Sequence, residues 1–475
     1  MKMLNNKIKG ILTLIASVLI HLLIGNLFSF PNFIPYYKSY LYYKNNNTEV
    51  ISLLQLYFIA PVGIFVHNTL PSVTGFLDQI LGTRILAIIG LTSLLGSQLL
   101  LYFFIDYSLL ILSYVLFGLC GSLTYFQTLK NCWKYFPNKK GLISGIIFSS
   151  FGLSSFAFTS LGDLIINPNS KEKEPNGFYS EEISNKFLDY IKFYIICIII
   201  MGTISSILCF PYENEKSDFE ENEKIDITKE ITLQENENHS DENKQEDNNN
   251  EIIENDHMSL KKSLLSLEFY KCLSIAGCTL IFGFLLSNTY RNFGIEMNLS
   301  DLGMQILSKA FTLLNTFSRL IWGLICDKFG FKIPYIIICI NQILCGSLIY
   351  FASNNIYTYF TVVCFGVLSY AGHIILFPNL IHNKFGVDNS VIILGICGIF
   401  GGIACILGPI LTFFIIKEQS DYLKIYLIGA FPTIFSLFLT FFVKIEKKDN
   451  KTLIPITEET NEIINDRNTN DTTPV

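Results

Sequence analysis

Charge is scarce in this chain: Asp, Glu, Lys and Arg make up 16% of its 475 residues, against about a quarter in an ordinary soluble domain. Tryptophan occurs twice and histidine six times. The twelve cysteines form no C-x-x-C pair and no Cys/His cluster with zinc spacing, so neither a thiol redox centre nor a zinc site is expected. Scattered inside or beside apolar runs, as at Cys197, Cys278, Cys339 and Cys397, they read as small apolar residues buried in a membrane. The chain also lacks a Gly-rich phosphate loop and a paired metal motif. An H-x-x-x-x-D acyltransferase pattern is absent too, His382 and Asp388 being one residue too far apart. These gaps argue against a membrane enzyme; no cofactor and no nucleic-acid partner is expected.

What the chain does have is apolar length. Half of it is hydrophobic, 14% is aromatic, and the mean hydropathy is +0.42. Its apolar stretches repeatedly exceed the ~20 residues that an α-helix needs to cross a bilayer. Twelve spans are expected, at 10–37, 50–74, 84–105, 108–129, 141–166, 189–210, 269–291, 302–325, 333–353, 356–381, 390–416 and 422–443. Only nine residues precede the first span, and its apolar run is too long for a signal-peptide core, so no cleavable leader is expected.

The acids are clustered. Residues 211–258 hold 17 Asp/Glu against 4 Lys/Arg, so this stretch alone carries −13 of a net −6 and leaves +7 elsewhere. Nearly free of aromatics, it cannot bury enough surface to fold alone. The expected organisation is an N-terminal six-helix bundle over 1–210, an acidic disordered linker over 211–268, a C-terminal six-helix bundle over 269–443 and a disordered tail over 444–475. Basic residues set the orientation. With the N-terminus inside, the cytosolic side collects Lys2, Lys7, Lys9, Arg84, Lys139, Lys140, Lys328, Lys332, Lys384 and Lys444. Both termini and the linker then face the cytosol, in a multi-pass protein whose membrane, cell surface or organelle, is left open.

The two halves repeat one another. Gly75, Asp78, Gly82 and Arg84 follow the second span as Gly323, Asp327, Lys328, Gly330 and Lys332 follow the eighth. The fifth and eleventh spans are both laden with glycine, at Gly141, Gly145 and Gly152 and at Gly395, Gly398, Gly401, Gly402 and Gly408. Equivalent features in two six-helix halves are the trace of parallel repeats that rock about a central site.

Gly323–Lys332 fits G-x-L/I-x-D-K/R-x-G-x-K, the loop between neighbouring helices in major facilitator superfamily transporters, and the whole membrane portion resembles that superfamily. Within it, GNLFSFPNFIPYY in the first span, WKYFPNKKGLISGI entering the fifth and NTFSRLIWGLICDKFG in the eighth resemble the oxalate/formate antiporter and monocarboxylate transporter group. The resemblance implies an all-α membrane protein with twelve helices in two pseudo-symmetric bundles. It further implies alternating access, with Gly75, Asp78, Gly82, Arg84, Gly323, Asp327, Lys328 and Gly330 as gating loops. The first copy departs from the pattern: a gapless match puts Gln79 where Asp is wanted, with Asp78 one place early.

In the monocarboxylate transporters an eighth-helix arginine, four residues before the loop glycine, is taken to bind substrate carboxylate. Arg319 stands four before Gly323. A central arginine costs at least ~2.5–3.5 kcal/mol to insert, so it needs a partner or a wet cavity. At 100° per residue Ser308, Thr312, Asn315 and Arg319 share one helix face, and a guanidinium fork matches a carboxylate. The alternative is that Arg319, about six residues from the cytosolic end of its span, snorkels to the interface. The lysine that the proton-linked carriers place after the first-span proline is Asn32 here. The acid expected four before the arginine is Asn315, and 390–416 holds no charge.

One fixed cation suits one carboxylate, so the expected substrate is a small organic anion, a monocarboxylate such as pyruvate or lactate. Asn32, Thr312, Asn315, Arg319, Tyr125 and His373 are the candidate binding residues, and a coupled proton or counter-anion is a candidate partner beside the lipid bilayer. His21, His67 and His373 fall within spans, where an intramembrane histidine relays protons or simply stays neutral and hydrogen-bonded. A dicarboxylate or amino-acid exchanger and a transporter-like receptor remain open as alternatives.

Overall fold

Several helices start where a side chain satisfies an orphan N–H group of the first turn. In the computed structural model, which describes residues 5–48, 51–104, 106–169, 171–212 and 260–443, Asn5 caps α1 (Asn6–Ile24). A 3₁₀ turn over Gly25–Ser29 joins α1 to α2 (Phe30–Lys44). Ser52 and Gln55 form a reciprocal capping box at α3 (Leu53–Thr69), which runs through α4 (Pro71–Leu81) to a glycine stop. Then come α5 (Thr83–Phe103), α6 (Tyr107–Tyr135), capped by Asp106, α7 (Lys140–Ile166) and α8 (Glu181–Leu208).

The second half opens with the short α9 (Leu260–Leu265) and α10 (Leu267–Glu296), capped by Ser266. It continues through α11 (Asp301–Phe329), capped by Ser300, and α12 (Lys332–Ala352). The long α13 (Ile356–Ile415) is broken at Gly386 into two limbs, and α14 (Asp421–Phe442) ends the fold. Gly82 and Gly330 stop α4 and α11 at φ +79° and +71°, and Gly386 sits at +80°, a left-handed conformation that costs any residue with a Cβ.

With α1–α2, α3–α4 and the two limbs of α13 counted as spans, the chain makes twelve crossings in two groups of six. Among the described residues nine helices are long and apolar enough to cross a bilayer by themselves. Of the other three crossings, α11 carries Lys309, Arg319, Asp327 and Lys328, and α3 and the second limb of α13 contribute the shorter apolar helices Phe58–Thr69 and Asn389–Ile403. The apolar side chains facing outward, such as Ile196, Ile200, Phe351 and Phe431, form the surface expected to meet lipid.

The first half has one continuous core around Phe117, Trp133, Phe148 and Tyr194. The second has two, around Tyr335 and Cys339 and around Phe293 and Tyr426. Helices α3, α4 and α7 of the first half pack on α11 and α13 of the second.

Several boundaries move. The first span extends well beyond 10–37, because the 3₁₀ turn lets helical backbone continue to Lys44. The expected linker 211–268 ends early, since α9 and the first turn of α10 occupy its last residues; the acidic stretch 213–259 and the tail 444–475 lie outside the described residues.

Candidate functional site

The seam between the halves is built on glycine. Where α7 crosses α11, a methyl on Gly141 would collide with the Gly323 carbonyl and a methyl on Gly323 with that of Gly141. One turn on, a Cβ at Gly145 would lie 2.9 Å from the Arg319 carbonyl oxygen, and at Gly152 2.9 Å from Thr316 Oγ1. The symmetry-related crossing repeats this: Gly395 and Gly398 lie against the backbone of Pro71, Ser72 and Asn68, and Gly75 lies against Ile392. Small residues let backbones touch, and here they close one face of the seam, the one on which α1 starts. Toward the opposite face Phe28 is 37% exposed, and Asn32 is exposed while donating to Thr159 Oγ1 at 3.3 Å.

Asp327 fastens the closed face. Its two oxygens accept the backbone N–H groups of Gly141 at 2.6 Å and Leu142 at 2.8 Å, so it caps α7 from the other half, at the positive end of that helix dipole. The corresponding stretch of the first half behaves differently. Asp78 makes a buried ion pair with Lys130 of α6 at 2.8 Å and accepts from Thr83 Oγ1 at 2.7 Å, all within its own half. Asp78, one place early in the pattern, thus braces its own half. Arg84 Nε donates to the Ser206 carbonyl at 3.1 Å, again within the half. Lys328 lies over the Phe329 ring.

Arg319 sits behind this latch. Ten residues separate it from the end of α11, about 15 Å at 1.5 Å per residue. Its side chain is not at an interface: the residue is 4% exposed, because α11 runs on to Phe329 and the guanidinium turns across the seam. Nη1 donates to the Phe148 carbonyl of α7 at 2.5 Å and Nη2 to Asn315 Oδ1 at 3.2 Å, while Nε is buried without a hydrogen-bond partner. No carboxylate pairs with it among the described residues.

The first half meets Arg319 with an aromatic wall. Tyr125 stacks on Phe148 at 4.7 Å between ring centres, and His21 and His67 each lie 5.0 Å from Tyr125. Phe151 covers the same cluster, 5.9 Å from His67.

The remaining candidates are placed as follows. Asn315 is a direct partner of Arg319. Thr312 Oγ1 donates to the Ser308 carbonyl at 3.1 Å and so satisfies itself on its own helix. His373 belongs elsewhere: its Nδ1 lies 2.8 Å from the Tyr335 hydroxyl and 2.9 Å from Thr279 Oγ1, inside the second half. Asn32 lies on the open side of the seam, with Thr159. His21 was not among the expected binding residues; it is fully buried and joins the wall facing Arg319.

A family model described as Major Facilitator Superfamily matches residues 13–409. The chain belongs to the major facilitator superfamily. It is 25% identical over 282 residues to an uncharacterized MFS-type transporter of Escherichia coli K12, YhjX, a match spanning 58% of this chain and 57% of that relative's length. Among solved structures, the superfamily transporter FucP in its outward conformation superposes with a TM-score of 0.66 at 13% identity, covering 93% of this chain and all of that one. The proton:xylose symporter XylE gives 0.64 at 12% identity, over 93% and 97% of the two chains. At these identities the structural likeness speaks for the fold alone. Major facilitator architecture is the level at which the family assigns this chain.

Proposed function

We propose that this transporter carries a small organic anion, a monocarboxylate such as pyruvate or lactate, by alternating access. The observation that carries the reading is Arg319: a buried guanidinium on the seam between halves, with no carboxylate partner among the described residues. An uncompensated buried charge costs several kcal/mol, and an arriving carboxylate would remove that penalty with a bidentate match. The single cation favours one carboxylate over two. Both its present partners, a carbonyl and an amide oxygen, are neutral acceptors that a carboxylate outcompetes.

In this reading the closed face is cytosolic and both termini lie on that side. Binding from the open side loosens the contact to Phe148, weakening the α7–α11 crossing that Asp327 fastens. The gate then opens. A proton or a counter-anion travels as the coupled partner. Counterflow of labelled pyruvate and lactate in proteoliposomes tests the reading. Counterflow that Arg319→Gln abolishes, with the protein still folded and inserted, supports it. Counterflow of neither anion by the wild-type protein contradicts it.

A further inference from the structure

Two hydrogen bonds cross the seam in opposite directions within one helical turn. Arg319 Nη1 of α11 donates to the Phe148 carbonyl of α7. The next residue, Ser149, sends its hydroxyl the other way and donates to the Thr316 carbonyl of α11 at 2.8 Å. Ser149, Thr316 and Arg319 are all buried. Thr316 Oγ1 donates to the Thr312 carbonyl of its own helix at 2.9 Å, so the crossing uses its backbone. One turn further along α7, Gly152 leaves the guanidinium its room: a Cβ there would lie 3.4 Å from Arg319 Nη1 and 2.9 Å from Thr316 Oγ1.

Both acceptors are carbonyls inside helices, and each has a lone pair beyond the one that serves the N–H four residues on. Parting the helices therefore orphans neither carbonyl. The donors differ. A serine hydroxyl in a helix turns to a carbonyl three or four residues back in its own chain, so Ser149 loses little when it lets go. A buried guanidinium has no such substitute, and an unmet charged donor costs more than a neutral one. One bond of the crossing is thus cheap to exchange, and the other yields only to an incoming acceptor.

We propose that Ser149 is a positioning residue for the anion site. It fixes the level of α11 against α7 at which the Arg319 fork reaches the Phe148 carbonyl, and so sets how firmly the empty carrier stays closed. The proposal rests on the organic-anion reading above and deepens it. The two bonds lie a turn apart on stiff helices, so they form and part together. A carboxylate that takes the fork breaks the first bond, and Ser149 then turns back to its own helix. Ser149 therefore stabilises the closed face of the empty carrier and contributes little once the anion is bound.

The test uses the full-length protein in proteoliposomes carrying Asn379→Cys, at a residue that donates to Ser144 across the closed face at 3.4 Å. Closure is read as the rate of thiol labelling, relative to the parent protein, with and without pyruvate or lactate. Either anion is expected to speed labelling. Ser149→Ala is expected to speed labelling of the empty carrier about 2- to 10-fold and to leave the loaded rate where it was, so the acceleration by anion shrinks by that factor. Ser149→Thr, which keeps the hydroxyl, keeps the acceleration. Ser150→Ala keeps it too, because that hydroxyl, equally buried, donates to the Ile147 carbonyl of α7 itself at 2.6 Å.

A contact of purely structural kind would, when lost, speed labelling equally with and without anion, and that result overturns the proposal. So does a change in Ser150→Ala as large as in Ser149→Ala. Where Ser149→Ala does not fold, Gly152→Ala decides: its methyl presses on Thr316 and the guanidinium and is expected to shrink the acceleration likewise, while an unchanged acceleration overturns the proposal. Labelling that neither anion alters also overturns it. The organic-anion reading survives each of these results and falls only where counterflow of both anions is absent.

Discussion

Asp327 of one half holds the first turn of α7 in the other through the N–H groups of Gly141 and Leu142, at 2.6 and 2.8 Å. Bonds from an ionised acceptor contribute more than neutral ones, about 1.5–3 kcal/mol each. Breaking them is what opening this face requires. Asp327→Asn is therefore expected to shift the population toward the state open on that face, and Asp327→Ala more so. Modification of cysteines introduced at Ser144 and Asn379, which touch across the seam at 3.4 Å, measures the shift. Unchanged labelling rates would remove Asp327 from the gate.

The Gly141–Gly323 crossing leaves no room for a side chain. Gly323→Val is expected to prevent closure of this face and to slow transport at least about tenfold, with the folded protein trapped open there. Labelling at the same two positions, constitutively fast in this variant, checks it.

Asp78 and Lys130 are 3% and 6% exposed at the side chain and bridge elements of one half. Removing one partner from this buried pair is expected to cost about 3–5 kcal/mol. Asp78→Asn should lower the unfolding midpoint without altering seam accessibility, and Lys130→Met on that background should recover part of the loss. A midpoint change in Asp327→Asn as large as in Asp78→Asn would erase the distinction between brace and latch.

His373 ties Tyr335 to Thr279 within the second half. His373→Ala is expected to reduce stability by roughly 1–3 kcal/mol through unsatisfied partners while leaving the KM for anion unchanged. A KM that rises more than about tenfold would return His373 to the binding site.

The sequence carried the scaffold well. Helix lengths, the glycines at 82, 141, 323 and 330 and the placement of Arg319 four residues before Gly323 are local features, and local features survive in a linear pattern. What it could not display was contact across the seam. Arg319 donates to a backbone carbonyl of Phe148, 171 residues away, and a carbonyl has no sequence signature. The eighth span was set to end at 325 because Asp327 and Lys328 read as loop, whereas α11 continues to Phe329.

The same blindness applied to the histidines. His373 and His21 are both intramembrane, and only the fold shows that one has its Nδ1 tied to Thr279 and Tyr335, while the other ends in a bare nitrogen facing the aromatic wall. A hint was present in the spacing: His21 follows Ser17 by four residues, which places its ring over that carbonyl in a helix.

The central claim concerns one buried guanidinium, and uptake of labelled pyruvate by proteoliposomes tests it most directly. Wild-type protein should take up the anion, while Arg319→Gln, inserted to the same level and unfolding at a similar temperature, should not exceed empty vesicles. Arg319→Gln vesicles that fill as fast as wild type would contradict the account.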